Sequence, residues 1–409
     1  MKKQRSPRPR RIAFITSNRA WGGSEELWSA TAAALAGDGH DVTVFKGEMG
    51  EDGGHVRRLR EAGCRIVELD WLPLMPPPLY SFLANLSFTF VVLVQRFQLR
   101  LRFALSRRHD LIVFSQGLNF DCVQLGSVIM RTRAPYVMIQ QKASDLYWPH
   151  DLQLRHLREI YRGASACYFV SEHNVRLTEE QLGMELPQAS VVRNPFLVPW
   201  ERRDDWPSTA DGWRLACVGR MFTKEKGQDM LLRVLARTKW RNRPLSVTFY
   251  GDGTNRDALE SMAGFYSLSN VFFGGFTSDP AAVWNDHHGL ILASRCEGLP
   301  LVIVEAMLSG RVPIVTDVAG SAEVIDDGRT GFLAKAPTED AIDETLERAW
   351  QRRSDWRGIG AAAGESIRTL VPPDPARVLA ATLLATAPES RATRSSSRRS
   401  SRTLRPAAR

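Results

Sequence analysis

Short apolar runs, each closed by Gly, Pro, Asn, Asp or Ser, alternate along this chain with longer stretches whose apolar residues recur at helical spacing. Runs of this kind read as strands buried on both faces, and their alternation with helices implies parallel sheets covered on each side. The pattern predicts strands at 12–16, 41–45, 65–69, 111–114, 136–140, 167–170 and 190–193. Asn194-Pro195 then interrupts it and marks a domain junction. A second series follows at 214–218, 246–250, 271–273, 289–292, 313–315 and 331–333. Helices fill the gaps. Ser24 is placed to cap one that begins near Glu25, with two acids in its first turn. The whole reads as two similar α/β halves followed by an apolar helical pattern at 375–385.

A length of 409 residues suits two domains, and an apolar content of 44% supplies two cores. The five cysteines, at 64, 122, 167, 217 and 296, are scattered and show no C-x-x-C spacing. They predict buried thiols in a reducing compartment, not a disulfide scaffold or a zinc site. The formal net charge of +9 is a property of the ends. Residues 1–11 carry six Lys or Arg and no acid, while 389–409 carry seven Arg and one Glu, so the tails hold +12 and leave the body at −3. The basic balance therefore does not point to a specific nucleic-acid-binding domain. Residues 389–409 are Ser- and Arg-rich, carry almost no large apolar side chains, and are expected to be disordered, as is the basic start at 1–10. Such tails either associate with an anionic surface or stay solvated without a role.

The basic start leads into one short strand and not into a cleavable apolar region, so the expectation is a cytoplasmic protein without a secretory leader. Residues 79–95 are mostly apolar and are followed by Arg96, Arg100, Arg102, Arg107 and Arg108. They read either as a helix lying on the inner face of a membrane or as a plain core helix. A true span is disfavoured, because 110–115 resumes the strand pattern of the same half.

Candidate chemistry concentrates in the second half. Glu297-Gly298-Leu299-Pro300-Leu301-Val302-Ile303-Val304-Glu305 sets two carboxylates eight positions apart around a turn that opens into an apolar helix. Pro300 suits the first helical turn, and Gly298 lets a ligand approach the main chain. The first N–H groups of such a helix lack internal partners and can hold a diphosphate, with Glu305 returning to the mouth about a turn later. Taken alone, the same block also fits an ordinary helix start with an acidic first turn. Upstream, the strand 214–218 runs into Gly219-Arg220, and Lys224-Glu225-Lys226-Gly227 follows in the loop before the next helix. Strand–loop–helix junctions of this kind are where open α/β sheets bind ligands. Arg220 offers a flat fork of donors and Lys226 a compact charge, both suited to a diphosphate.

These residues resemble the carboxy-terminal half of retaining glycosyltransferases of family 4, the group 1 glycosyltransferases. The resemblance rests on Gly219-Arg220 with Lys226-Gly227, on the E-x7-E block 297–305, and on Pro313 to Ile325 continuing through Asp326-Asp327-Gly328-Arg329-Thr330-Gly331-Phe332-Leu333. At the front, Gly22-Gly23-Ser24-Glu25 resembles the family's glycine loop, and Gly39-His40-Asp41-Val42-Thr43-Val44 its second strand. The similarity runs from about residue 11 to about 388 and is more specific in the second half.

The resemblance implies a GT-B architecture, two facing Rossmann-like domains with parallel sheets and a cleft between them. It implies an acceptor domain at 11–195, a donor domain at 196–373, and a helix at 374–388 crossing back onto the first. The expected donor is a UDP- or GDP-sugar and the expected acceptor a glycan or a lipid-linked sugar, without a further cofactor. By resemblance Glu297, Arg220 and Lys226 carry the chemistry. Glu305, Gly298, Leu299, Pro300, Gly22 and Gly23 bind the donor, with the nucleobase near 250–253 and 275–276. No D-x-D triplet is present to hold a metal on the diphosphate, so cationic side chains are expected in its place. One departure stands out: where many relatives carry a His pair, this chain has Val113 and Ser115. That loss leaves open a catalytically degenerate relative that binds a nucleotide sugar or a partner. His173 is a weaker candidate base, because Ser171 reads as the cap of a helix there. A dinucleotide oxidoreductase is disfavoured, since the first strand–helix turn lacks G-x-G-x-x-G.

Overall fold

The computed structural model describes residues 8–18, 21–47, 54–69, 101, 105, 109–132, 134–201, 205–277 and 279–386. The expectations for 79–95, for the arginines at 96, 100, 102, 107 and 108, and for the tail 389–409 lie outside the described residues, as does most of the stretch 1–10.

Two parallel sheets organise the chain, as the alternation of runs requires. The first holds β1 (Arg11–Thr16), β2 (Asp41–Lys46), β3 (Arg65–Glu68), β4 (Leu111–Leu118), β5 (Tyr136–Lys142), β6 (Ala166–Phe169) and β7 (Ala189–Val191), in the order β3-β2-β1-β4-β5-β6-β7. Along β1 the side chains alternate between two layers. Ile12 and Phe14 pack with Leu27, Trp28 and Val44 on one face, while Ala13 and Ile15 pack with Phe114, Leu157 and Ile160 on the other. That two-sided burial explains why the strands read as unbroken apolar runs. The second sheet holds β8 (Trp213–Val218), β9 (Leu245–Tyr250), β10 (Val271–Gly275), β11 (Gly289–Leu292), β12 (Val312–Thr316) and β13 (Phe332–Ala334), in the order β10-β9-β8-β11-β12-β13. All pairings in both sheets are parallel.

Each sheet reverses its direction of growth once, between β1 and β4 and between β8 and β11. Ligands of open α/β sheets lie beyond the carboxyl ends of the strands at such reversals. Here both reversals open onto the same interdomain cleft. The helix Pro375–Thr386 packs on the helix Gly23–Gly37 of the first domain, placing Leu379, Ala380 and Leu383 in that core. The Thr31 hydroxyl donates to the Ala376 carbonyl (3.3 Å) and Arg377 pairs with Asp38.

Local details differ from the sequence expectation. β4 and β5 run past their apolar cores, to Leu118 and Lys142, because each is a central strand whose polar end is still paired by its neighbour. Ser24 does not cap the first helix. That helix starts at Gly23 with Gly22 as its N-cap, and the Ser24 hydroxyl instead accepts from Asn18 Nδ2 (2.9 Å). All five cysteines are buried and unbridged. Among the described residues no helix is long and apolar enough to cross a membrane.

Candidate active site in the interdomain cleft

The second-domain side of the cleft is built from glycines that let loops stack. Beyond β8, a Cβ added at Gly251 would lie 2.2 Å from the Gly219 carbonyl, and Gly251 sits at φ 125°, so only glycine fits that crossing. The short helix Thr223–Lys226 ends on Gly227, whose φ is 63° and whose Cβ would lie 1.9 Å from the Ala293 carbonyl. The Lys226-Gly227 pair is thereby pressed onto the end of β11. Lys226 Nζ reaches both oxygens of Glu297, at 2.6 and 2.8 Å, and the Ser294 hydroxyl donates to Glu297 Oε1 (2.8 Å).

Arg220 behaves differently. Its Nη2 lies 3.2 Å from Glu225 Oε2, with most of the side chain exposed. The same Glu225 oxygen lies 2.8 Å from Lys142 Nζ, which comes from the end of β5 in the other domain. Burial works against ionisation of Glu225, yet Lys142 and Arg220 hold its carboxyl below the usual range. The Glu225 main-chain carbonyl accepts the N–H groups of Arg295 and Cys296, at 2.7 and 3.1 Å, tying this turn to the loop that carries Glu297.

That loop leads into the helix Leu301–Leu308. Pro300 is its N-cap, one position earlier than the sequence suggested, because the Pro300 backbone is still extended (ψ 126°) and its carbonyl accepts from Ile303 N (3.1 Å). Among the described residues, the N–H groups of Leu301 and Val302 have no recorded acceptor. At Gly298 a Cβ would lie 1.9 Å from the Gln141 carbonyl, so the opposite domain comes close to the main chain there. Leu299 is buried in the second core. Glu305 is buried within the helix and accepts the N–H of Leu197 in the interdomain segment (3.0 Å). Burial pushes its carboxyl up to about 7, against the pull of the Leu197 N–H and with a push from Glu26.

On the facing side, a Cβ at Gly23 would lie 3.3 Å from Leu301 Cδ1, so the starts of the two helices abut across the cleft. Glu25 and Lys46 form an ion pair (3.2 Å) with both side chains fully buried, and Asn18 Nδ2 donates to the same carboxylate (2.9 Å). Val113 is core. The Ser115 hydroxyl is buried without a hydrogen-bond partner among the described residues. Gln116 is fully occupied, donating to the Asn119 carbonyl and accepting from Cys122 N. Ser171 caps its helix by accepting from Asn174 N (3.2 Å). The His173 main-chain N–H donates to Glu323 across the domains (3.0 Å), and Arg193 pairs with that same carboxylate (3.3 Å).

The structure thus brings Arg220, Lys226, Glu297 and the turn Gly298–Pro300 to one place. Glu305 lies on the same helix and Gly22-Gly23 stands opposite. Sequence reasoning passed over Lys142 and Glu225. Lys142 was legible only as the polar end of an apolar run, Gln140-Gln141-Lys142, and Glu225 only as an acid between two lysines. Among the described residues no cluster of three or more His, Cys, Asp or Glu is arranged to hold a metal ion.

Two family models match the chain. One, glycosyl transferase 4-like domain, covers residues 22–195, and the other, glycosyl transferases group 1, covers 212–352. The chain belongs to the group 1 glycosyltransferases. The similarity of this glycosyltransferase to curated relatives is partial. It is 26% identical over 259 residues to the GDP-mannose-dependent alpha-(1-6)-phosphatidylinositol monomannoside mannosyltransferase of Mycolicibacterium smegmatis, covering 57% of this chain and 66% of that one. It is 29% identical over 122 residues to the poly(ribitol-phosphate) alpha-N-acetylglucosaminyltransferase of Staphylococcus aureus, covering 29% of this chain and 25% of that one. The chain therefore spans less than two thirds of the length of these relatives. Among solved structures, it superposes on HepE of Anabaena in complex with UDP-glucose, with a TM-score of 0.71 and 18% identity over 92% of this chain and 100% of that one. It superposes likewise on the sucrose-phosphate synthase of Thermosynechococcus elongatus, with a TM-score of 0.72 and 16% identity over 92% and 98%. At such identities the likeness establishes the GT-B fold.

Proposed function

We propose that this group 1 glycosyltransferase moves a sugar from a UDP- or GDP-sugar to a glycan or lipid-linked acceptor, with retention of configuration and without a metal. The observation that carries the reading is the convergence of Arg220, Lys226 and Glu297 with the mouth of the helix Leu301–Leu308 in one interdomain cleft. In the reaction the bond from the anomeric carbon to the diphosphate oxygen breaks and a bond to the acceptor oxygen forms. The acceptor's proton passes to the departing phosphate on the same face. Charge grows on the leaving diphosphate as that bond lengthens, and preset donors aimed at it lower the barrier. Arg220, Lys226 and the N–H groups of Leu301 and Val302 are those donors. Glu297 releases Lys226 to the diphosphate and takes up sugar hydroxyls, and Glu305 holds the ribose. HepE was solved with UDP and with UDP-glucose, and TarM of S. aureus with UDP and alpha-GlcNAc-glycerol, which supports nucleotide-sugar and glycan ligands for a cleft of this fold.

The experiment is thermal melting with UDP, GDP and their sugar conjugates, with and without EDTA. A ligand that binds the folded state raises the melting temperature by mass action. One nucleotide should raise it, EDTA should not abolish the rise, and Arg220→Ala or Glu305→Ala should remove it while the protein stays folded. An unchanged rise in both variants would show that the nucleotide binds elsewhere.

The partnerless Ser115 hydroxyl and the core position of Val113 favour a second reading, a degenerate relative that binds the donor without turnover. Nucleotide release in the presence of a range of candidate acceptors separates the two: release supports transfer, and tight binding with no release from any of them supports the degenerate protein.

A further inference from the structure

We infer that Lys142, at the end of β5 in the first domain, is a third cation for the donor's diphosphate, reaching it from across the cleft beside Arg220 and Lys226. The inference rests on the site reading above.

Lys142 Nζ and Arg220 Nη2 approach one and the same oxygen, Glu225 Oε2, at 2.8 and 3.2 Å. They come from opposite domains and are thus held within the span of a diphosphate's oxygens. Lys226 is paired to Glu297 in the same cleft. Three cations therefore share two carboxylates, an arrangement that leaves positive charge unanswered in a partly dehydrated crevice and favours an arriving anion. Lys142 keeps 18% of its side chain exposed, whereas Glu225 keeps 6%, so the lysine is the member of the pair that opens to the cleft. Burial disfavours its charge, but the neighbouring Glu225 and Glu297 carboxylates hold its ammonium above the usual lysine range. Asp121 also feels Lys142, but its carboxylate is engaged by the Leu118 N–H (2.9 Å) and the Ser17 hydroxyl (3.2 Å). Beside Lys142, the buried Gln141 has both amide atoms without a partner among the described residues. The end of β5 thus carries more hydrogen-bonding capacity than the two domains use between themselves.

Glu225 acts as the stand-in anion. A diphosphate entering beside Arg220 shares Lys142 with it, and the first domain gains a charge-assisted contact that exists only when the donor is present. A lysine serving only to pin the domains together would affect all ligands of the cleft equally.

Calorimetric titration of UDP and GDP, and of UMP and GMP, into wild type, Lys142→Gln and Lys142→Arg tests this. The expected result is a loss of about ten-fold in affinity for the preferred diphosphate in Lys142→Gln, with the monophosphate within about two-fold of wild type and most of the loss recovered in Lys142→Arg. Equal losses for diphosphate and monophosphate, or no loss for either, would overturn the inference and leave the Arg220–Lys226 site standing. A wild type that binds none of the four nucleotides would instead sink the reading of the cleft itself, and this inference with it.

Discussion

Glu305 is the residue whose environment departs furthest from what its sequence position suggests. A surface Glu ends its titration well below neutrality, but burial holds this one at about 7 in the folded protein. Between the ordinary value of 4.5 and about 7, the folded state keeps a proton that the unfolded chain has released. Stability contributed by this group therefore falls as pH rises through that window and levels off above it, by about 3 kcal/mol in total. Urea unfolding at pH 5 and pH 8 should show the decline in wild type and a much shallower one in Glu305→Gln; equal slopes would place the titration elsewhere. Gly298 makes a second residue-scale prediction. Alanine there drives a Cβ against the Gln141 carbonyl, which costs about 1–3 kcal/mol by overpacking and pushes the loop carrying Glu297 off the first domain. A Gly298→Ala protein that melts like wild type would contradict this. At this scale the sequence was partly readable. Arg220, Lys226, Glu297 and Glu305 could be picked out because their local motifs are dense. Lys142 could not, because its partner Glu225 lies 83 positions away and only the tertiary fold brings them together.

At the scale of elements, periodicity predicted every strand of the described residues, since strands covered on both faces cannot hide their composition. The misplaced ends have physical causes. β4 and β5 extend into Ser115-Gln116 and Gln141-Lys142 because ladder pairing, not side-chain polarity, decides where a central strand stops. The cap of the first helix was misread because Ser24 has another partner, Asn18, which a sequence window cannot show. The closing helix Pro375–Thr386 presents a sharper test. Leu383 is fully buried in the first core although it follows the whole second domain in sequence. Leu383→Ala should cost about 2–5 kcal/mol, and the loss should appear in the unfolding of the first domain. If only the second domain were destabilised, the packing described here would be wrong.

At the scale of the molecule, polar joints link the two domains, Lys142 with Glu225 and both Arg193 and the His173 N–H with Glu323, while the Leu197 N–H ties the interdomain segment to Glu305. Such joints are weak enough to open, and the segment around 194–200 is where a hinge would turn. Glu323→Ala removes an ion pair and a hydrogen bond together, so hydrogen exchange at 171–175 and 194–200 should quicken while the cores stay protected. The proposed transfer requires that the cations and the helix mouth gathered in this cleft hold a pyrophosphate. A crystal structure with the preferred sugar nucleotide measures that directly. Phosphate oxygens are expected within hydrogen-bonding distance of Arg220 and Lys226, before the start of the helix Leu301–Leu308. Phosphorus atoms bound remote from both side chains would contradict it.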